Sequence, residues 1–419
     1  MIGFRRTICA ALLAVVAGTA FAQNNTNSPY TRYGFGDLAG QNVGGSMSMG
    51  GIAVGMRDRM HINPLNPASY TAVDSLTFLL EGGVSLQNVN YSNGRQRINA
   101  KNSSFDYVAM QFRLHKIVGF SLGLLPFSNV GYRVSESFAE TMDTPASTKQ
   151  MDGNGGMHQL YAGLGLKVFK NLSIGANISF LWGRIDRNLT VIYPSYSSVG
   201  GTAPSYSEQT SMRLKSYKVD VGIQYTQPIG DKNRFTLGAT YTPRLKMNPT
   251  AKVTTTTSVV TDKDIDVACG IPNMYAAGVS YTYDNRLTVG ADYSLQQWSR
   301  VNYDVRGVHP LGDRYKVAVG AEYLPSWIGR TYFQNVHYRI GAYYDSPYYR
   351  AQNGERAARE IGVTVGLGLP VPRAKSELNI GFQYSNMKGL QANMIDQNLF
   401  RFTLGITFNE QWFFKRKVY

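Results

Sequence analysis

The chain has 419 residues, of which 16% are charged, with 43 glycines, 28 tyrosines, two cysteines and a formal charge of +15. No segment offers the roughly 18 consecutive apolar residues of a transmembrane helix, and two cysteines exclude a disulfide-stapled secreted scaffold. The excess of 42 basic over 27 acidic residues points to anionic partners; an exported chain meets lipid head groups before it meets nucleic acid.

An export signal comes first. MIGFRRTICAALLAVVAGTAFAQ sets Arg5 and Arg6 before an apolar run from Ile8 to Ala17 and closes on Ala20-Phe21-Ala22 ahead of Gln23. A basic start, an apolar run and a small-x-small site in this order predict a secretory signal peptide over 1–22, cleaved before Gln23. Cys9 leaves with it, so the mature chain keeps Cys269 alone.

Residues 23–75 are rich in Gly, Asn and Pro. HINPLNPASY (61–70) carries two Asn-Pro pairs; proline supplies no amide donor and turns the residue before it away from helix. The preceding MSMGGIAVGMRDRM is apolar in places, with Gly50, Gly51 and Gly55 able to turn tightly. Because it leads straight into the first strand pattern, 23–75 is expected to fold as a compact hatch enclosed by the strands C-terminal to it.

From 76 to 409 the chain alternates. Leu172, Ile174, Ala176, Ile178 and Phe180 oppose Ser173, Gly175, Asn177 and Ser179; Phe400, Phe402, Leu404, Ile406 and Phe408 oppose Arg401, Thr403, Gly405 and Thr407. In the first such segment Leu79 breaks the pattern. Period two over about ten residues is the strand signal, at the length a tilted membrane strand needs. Fourteen segments begin near residues 76, 104, 117, 157, 172, 213, 234, 274, 286, 313, 335, 359, 377 and 399. Short connections fall at His115-Lys116, Lys170-Asn171, QPIGDKNR, Asp284-Asn285 and PVPRAKS, with LPSWIGRTYFQN the one that runs long. Opposite them, long connections cover roughly 88–103, 126–156, 185–212, 247–273, 299–312, 347–358 and 389–398.

An even strand count with short turns at one end and long loops at the other is the pattern of a Gram-negative outer-membrane barrel. In hydrocarbon every backbone polar group must pair within the protein, so the sheet has to close. The expected fold is therefore all-β, a 14-stranded antiparallel transmembrane β-barrel over 76–409, with 410–419 as a basic aromatic tail. One parity faces lipid. The other, facing the lumen, holds Glu81, Arg113, Lys167, Lys218, Asp220, Asp292, Glu322, Arg339 and Arg401. Tyr281, Tyr283, Tyr323, Tyr343 and Tyr344 lie towards strand ends, where an interfacial aromatic girdle is expected.

Several stretches resemble one family. A Gly-rich segment followed by Asn66, Pro67 and Ala68 and then strand one is similar to the FadL-type outer-membrane transporters. So are GFSLGLLPF (119–127), which runs into Pro126, the 271–299 stretch with Asp292, Trp298 and Ser299, and YRIGAYYDSP (338–347) with Arg339, Asp345 and Pro347. The resemblance covers the mature chain and implies a fourteen-stranded barrel with a lumenal hatch. It further implies passive uptake of fatty-acid-like or aromatic molecules, leaving sideways through the wall near strand three. Two features depart from the transporters: the hatch carries Arg57, Asp58 and Arg59 instead of an acidic run, and WFFKRKVY extends past the last strand. SPYTRYGFGDL together with that tail is similar to a branch found in Bacteroidota, and FadL-type members there also serve as accessory subunits of secretion and barrel-assembly machines.

These features are compatible with two functions, of which the hydrophobic-molecule channel is the preferred reading and the accessory subunit the alternative. As a channel, the chain would form an apolar pocket beside the hatch from Met47, Met49, Ile52, Val54 and Met56, with Asn66 to Ala68 and Pro126 on the route. Methionine adapts to varied apolar ligands, and the same residues equally suit plug packing. As an accessory subunit it would dock other envelope proteins through loops, hatch or the tail residues Trp412, Phe414, Lys415, Arg416 and Lys417. Either way its surroundings are outer-membrane lipid and lipopolysaccharide. No cofactor, metal or nucleic acid is implied.

Other motifs carry no chemistry. Gly119-Phe120-Ser121-Leu122-Gly123 fits a nucleophile elbow but lies in an alternating strand with no following helix. GGIAVG lacks the strand and helix of a dinucleotide site. Asp262, Asp264 and Asp266 lack the closing acid of a calcium loop, which leaves a solvated charge run, and the five histidines have no ligand spacing. No catalytic site is expected.

Overall fold

A computed structural model describes residues 26–411, apart from 95, 143–144, 194–204, 304–310, 327–328, 352–353, 373–374 and 392–393. The signal peptide and the tail residues Trp412, Phe414, Lys415, Arg416 and Lys417 lie outside the described residues. Fourteen strands form the barrel: β1 Thr77–Ser92, β2 Arg97–His115, β3 Val118–Phe138, β4 Ser147–Lys167, β5 Leu172–Ile192, β6 Tyr206–Ile229 and β7 Asn233–Thr242. The rest are β8 Met274–Tyr283, β9 Leu287–Gln296, β10 Arg314–Tyr323, β11 His337–Ser346, β12 Ala358–Pro370, β13 Glu377–Gly389 and β14 Asp396–Gln411. Each pairs antiparallel with the next, and β14 returns to β1 from Asp396↔Ser92 to Gln411↔Thr77. Closure leaves no lipid-facing sheet edge at the join. No helix among the described residues is long and apolar enough to cross a membrane.

The two parities separate as a lipid-embedded wall requires. Leu164, Ile178, Val363, Phe400 and Leu404 are exposed outward, whereas Glu81, Lys218 and Arg339 are buried on the lumen side. Leu79 breaks the alternation because it faces inward, packing with Tyr70 and Tyr107. Tyr281, Tyr283 and Tyr323 lie on the outer surface, but Tyr343 does not join them. It is buried in the lumen, its hydroxyl donating to Glu360 at 2.7 Å. Adjacent strand residues point to opposite faces, so Tyr343 and Tyr344 could not share the girdle.

The strands are longer than the alternation indicated. Much of 88–103, 126–156 and 185–212, expected as loop, is strand: β2 begins at Arg97, β3 reaches Phe138, β4 begins at Ser147 and β5 reaches Ile192. Beyond the bilayer neither face needs to be apolar, so hydrophobic alternation stops while backbone pairing continues. Within 247–273, Thr250–Thr256 and Val260–Asp266 make a hairpin against the outer half of β6. Asp262 there is held by Lys252 at 2.8 Å and Thr254 at 2.7 Å.

One seam interrupts the wall. The β2–β3 ladder runs only from His115↔Val118 to Val108↔Leu124, and the outer halves of the two strands pair instead with β1 and β4. Pro126 comes just beyond, with no amide hydrogen to extend a ladder, and a bulge lies between it and Ser128. Past that point the β3 edge is covered from inside, where Asp37 and Leu38 pair with Asn129 and Ser128 and Ala39 N–H donates to Phe127 O at 3.0 Å.

If this parity holds in the bilayer, Leu404→Arg will cost about 2–4 kcal/mol near mid-membrane. Leu404→Met, similar in volume and still apolar, will cost under about 1.5 kcal/mol. Urea unfolding in lipid vesicles, followed by heat-modifiable gel migration, measures both.

Candidate functional site: the plugged lumen

Residues 26–74 fill the lumen and bond to its wall on every side. Gly44 N–H donates to Tyr107 on β2 at 2.9 Å, and Asn177 on β5 donates to Pro64 O at 2.8 Å. Gln224 on β6 donates to Met56 O at 2.9 Å, Ser280 on β8 to Gly55 O at 2.8 Å, and Gly50 N–H to Thr364 on β12 at 2.8 Å. Asp292 on β9 accepts from Ala53 N–H at 2.6 Å and Val54 N–H at 2.7 Å.

Such contact needs a wall without side chains at the plug's level, and glycines provide it. Gly119, Gly165, Gly175 and Gly222 form one row across β3 to β6, each paired with the next. Gly290, Gly320 and Gly341 continue the belt on β9 to β11. A Cβ on Gly165 would stand 2.7 Å from Pro67 O, and one on Gly238 would overlap the Val54 carbonyl. The Asn-Pro stretch lies against this row. Asn66, fully buried, caps the 3-10 turn Pro67–Ala72 through Ala68 N–H at 3.2 Å and donates to Val54 O at 2.8 Å.

At the outer end the SPYTRYGFGDL segment is locked under the loops. Tyr30, Tyr33 and Phe35 are buried with Trp298, Tyr348 and Tyr349. Trp298 packs 5.7 Å from Phe35 and 5.0 Å from Tyr348 between ring centres. Tyr303 donates to Gly34 O at 2.7 Å, and Phe35 N–H donates to Tyr348 Oη at 3.1 Å. Gly36 has a φ of 88°, a left-handed conformation, and a Cβ there would overlap the Asn129 carbonyl. Burial pushes the Asp37 carboxyl up to about 6, opposed by the Tyr349 hydroxyl that donates to it.

The inner half is held by charge. Arg339 Nε donates to Glu322 at 2.6 Å and Nη2 to Glu377 at 2.9 Å. His61 of the plug lies 3.2 Å from Glu81 and 3.5 Å from Glu377, with His337 3.3 Å from Glu322. Burial alone would depress the His61 pKa, but Glu377 and Glu81 hold it well above the usual value. Arg339 also meets His61 Nε2 at 3.2 Å. With three carboxylates against one guanidinium, the protonated imidazole is the form that charge balance favours, donating to Glu377 and accepting nothing from Arg339.

The sequence-derived residues divide between these parts. Asn66, Pro67, Ala68 and Asp292 seat the plug; Trp298 belongs to the outer lock and Arg339 to the ionic cluster. Asp345 binds Arg314 at 2.6 Å. Met49, Ile52 and Val54 are buried in the plug, and the cavity beside Met49 and Met56 measures about 40 Å³, room for a few waters. The cavity reached by Met47, Pro126 and Pro347 measures about 240 Å³ and is walled also by Arg314, Lys316, Asp345, Glu360 and Arg401. Among the described residues no three His, Cys, Asp or Glu side chains are grouped to hold a metal ion. Sequence reasoning missed the glycine belt, although lumen-parity glycines inside strands are a signal of close backbone approach.

Gly36→Ala is expected to loosen the outer lock while the barrel still forms, seen as protease cleavage within residues 30–40 of a heat-modifiable protein. A histidine whose pKa is raised on folding stabilises while protonated; its contribution is complete below about 6.5 and fades as pH climbs through the raised value. Plug protection should therefore weaken on the alkaline side, and His61→Gln should reduce that dependence, leaving the share of His337 on the same carboxylates, at a cost of about 3 kcal/mol. Limited proteolysis across a pH series reads both.

Comparison with known proteins places this barrel. It resembles the crystal structure of a Pseudomonas aeruginosa FadL homologue, with a TM-score of 0.62 at 14% identity, covering 89% of this chain and 99% of that one. The CymD monoaromatic hydrocarbon channel gives 0.57 at 13%, covering 89% and 99%, and the Pseudomonas putida toluene transporter TodX 0.56 at 15%, covering 90% and 100%. At such identities the likeness is one of fold. No curated protein matches at the sequence level. A family model described as BamG matches residues 2–419, nearly the full length, and the chain belongs to the BamG family.

Proposed function

We propose that this outer-membrane barrel does not conduct, and that it serves as an accessory subunit of an envelope protein machine of the barrel-assembly kind. The observation that carries this reading is the plug seated directly on the wall through lumen-facing glycines. A route for a hydrophobic molecule needs an apolar passage beside the hatch; plug backbone and buried Met49 and Ile52 pack against the wall, and the cavity of about 240 Å³ left beside Met47 and Pro126 carries several charged side chains. That cavity has a mixed wall, Arg314, Lys316, Glu360 and Arg401 beside Met47, Val89 and Leu399, and an apolar solute is held less well there than in an all-apolar passage. Membership of the BamG family supports the same choice.

A second reading, passive uptake of fatty-acid-like or aromatic molecules with lateral exit, is favoured by one feature. The β2–β3 seam beyond Leu124 opens the wall beside Pro126, and proteins of this fold include a toluene transporter and a hydrocarbon channel. For this chain the seam edge is occupied by Asp37 to Ala39, so such a route would require the plug to leave it.

Gentle extraction separates the two. The accessory role predicts a large native complex with other envelope proteins and no saturable fatty-acid binding by the purified barrel. A lone barrel of the chain's own mass that binds fatty acid saturably would overturn it in favour of transport.

A further inference from the structure

The inner mouth of the lumen carries an under-neutralised cluster of arginines. Arg57 of the plug donates to Thr71 Oγ1 at 2.7 Å, to Gln224 at 3.2 Å and to Ala68 O at 3.3 Å. Arg113 on β2 donates to Thr71 O at 3.2 Å and to Ser75 at 3.0 Å. Two guanidinium groups thus converge on one threonine, each bonded to neutral acceptors. Arg59 and Arg234 lie within electrostatic reach of Arg57. The acids of the plug segment here are Asp58, which accepts from Met60 N–H, and Asp74, 3.7 Å from Arg59 in an exposed pair. Burial first, then Arg234, Arg113 and Arg59, push the Arg57 guanidinium down to about 10. The surrounding inner turns add exposed Lys116, Lys170, Lys232 and Arg286, against Asp231 and Asp284.

Four arginines, Arg57, Arg59, Arg113 and Arg234, face only the two acids Asp58 and Asp74 of the plug segment, and like charges left in excess become favourable when a further anion is brought to them. Lipid head groups lie outside the wall, whereas Arg57, Arg59 and Arg113 are bonded to plug residues inside its rim, with Arg234 in electrostatic reach of Arg57. We propose that this inner mouth is a docking surface for an acidic protein segment of a periplasmic partner, its carboxylates neutralising the arginine cluster. The assignment rests on the accessory-subunit reading and names the face through which that role is exercised.

The test uses the full mature protein in nanodiscs of zwitterionic phosphatidylcholine, with fluorescein-labelled octaglutamate as the probe. Saturable binding is expected, weakened on the order of tenfold by Arg59→Glu/Lys116→Glu and by raising salt from ~20 mM to ~300 mM. Lys252→Glu, on the outer hairpin, should leave it unchanged. Heat-modifiable migration checks that each barrel has formed, and Lys170→Glu/Lys232→Glu, both at exposed turns, serves as a second pair. Failure to bind, or equal loss with Lys252→Glu, overturns the assignment. So does abolition of binding by phosphatidylglycerol in the nanodisc, which would make head groups the occupants. In native membranes, absence of any complex defeats the accessory reading, whereas a complex undiminished by Arg59→Glu/Lys116→Glu defeats only this docking surface.

Discussion

Contact of the plug's backbone and small side chains with the barrel wall is the constraint on which the rest of this structure depends. A strand normally presents a side chain to the lumen at every second residue, which would hold a plug at arm's length and leave a water-filled annulus. Here the row Gly119, Gly165, Gly175 and Gly222 removes that layer where the Asn-Pro stretch passes, and Gly238 and Gly320 do the same for Val54 and Met49. Close approach then lets wall polar groups reach plug amides. Asp292 takes two of them, and Gln224 and Ser280 take plug carbonyls in exchange. Glycine weakens a strand through its entropy, so a wall this rich in lumen-parity glycine makes physical sense only if something packs against it.

The two ends of the plug are held by different chemistry, and the difference comes from where each end sits. At the outer end large loops are available, and aromatic burial with Tyr348 and Trp298 seals the mouth, with Arg187 donating to Gly34 O and Asp37 accepting from Tyr349 at its edge. At the inner end most connections are short, and the plug is held by wall side chains, with Arg339, Glu322, Glu377 and Glu81 gathered round His61. A buried ionic cluster adds little net stability over an apolar one, but breaking it leaves an uncompensated charge. The arrangement therefore fixes where the plug sits more than how tightly the barrel folds.

The membrane-spanning wall was legible because lipid imposes a rule on sequence: one parity must be apolar, and fourteen segments obey it. Where lipid ends the rule ends. The outer halves of β2 to β6 were therefore invisible to hydrophobic alternation, although their ladders are as regular as those within the bilayer. Tyr343 was misplaced for a related reason, since aromatic content near a strand end signals an interface only after parity has been applied. The plug segment was legible as a compact unit from its proline and glycine content. Its path was not, because its partners are scattered over the whole chain: Asn66 meets β6, Ala53 meets β9, and Gly50 meets β12. Of the candidate residues, Asn66, Pro67, Ala68 and Asp292 lie where the plug meets the wall. The methionines, equally suited to a pocket and to packing, were ambiguous by their own chemistry.

A fold shared at about one identical residue in seven with a hydrocarbon channel and a toluene transporter fixes the architecture and leaves the function to what fills it. The same seam beside Pro126 that would be an exit in an open barrel is here an edge that residues 37–39 complete as a strand would. The plug thus supplies part of the wall as well as blocking the bore, and opening the one would unpair the other. What then remains available to solvent is the outer surface of loops and hairpin and the arginine-lined inner mouth. On the accessory-subunit reading proposed above, a barrel whose interior is committed to its own plug acts on other molecules through its surfaces, and the arginines Arg57, Arg59, Arg113 and Arg234 make the inner one the more selective for acidic partners.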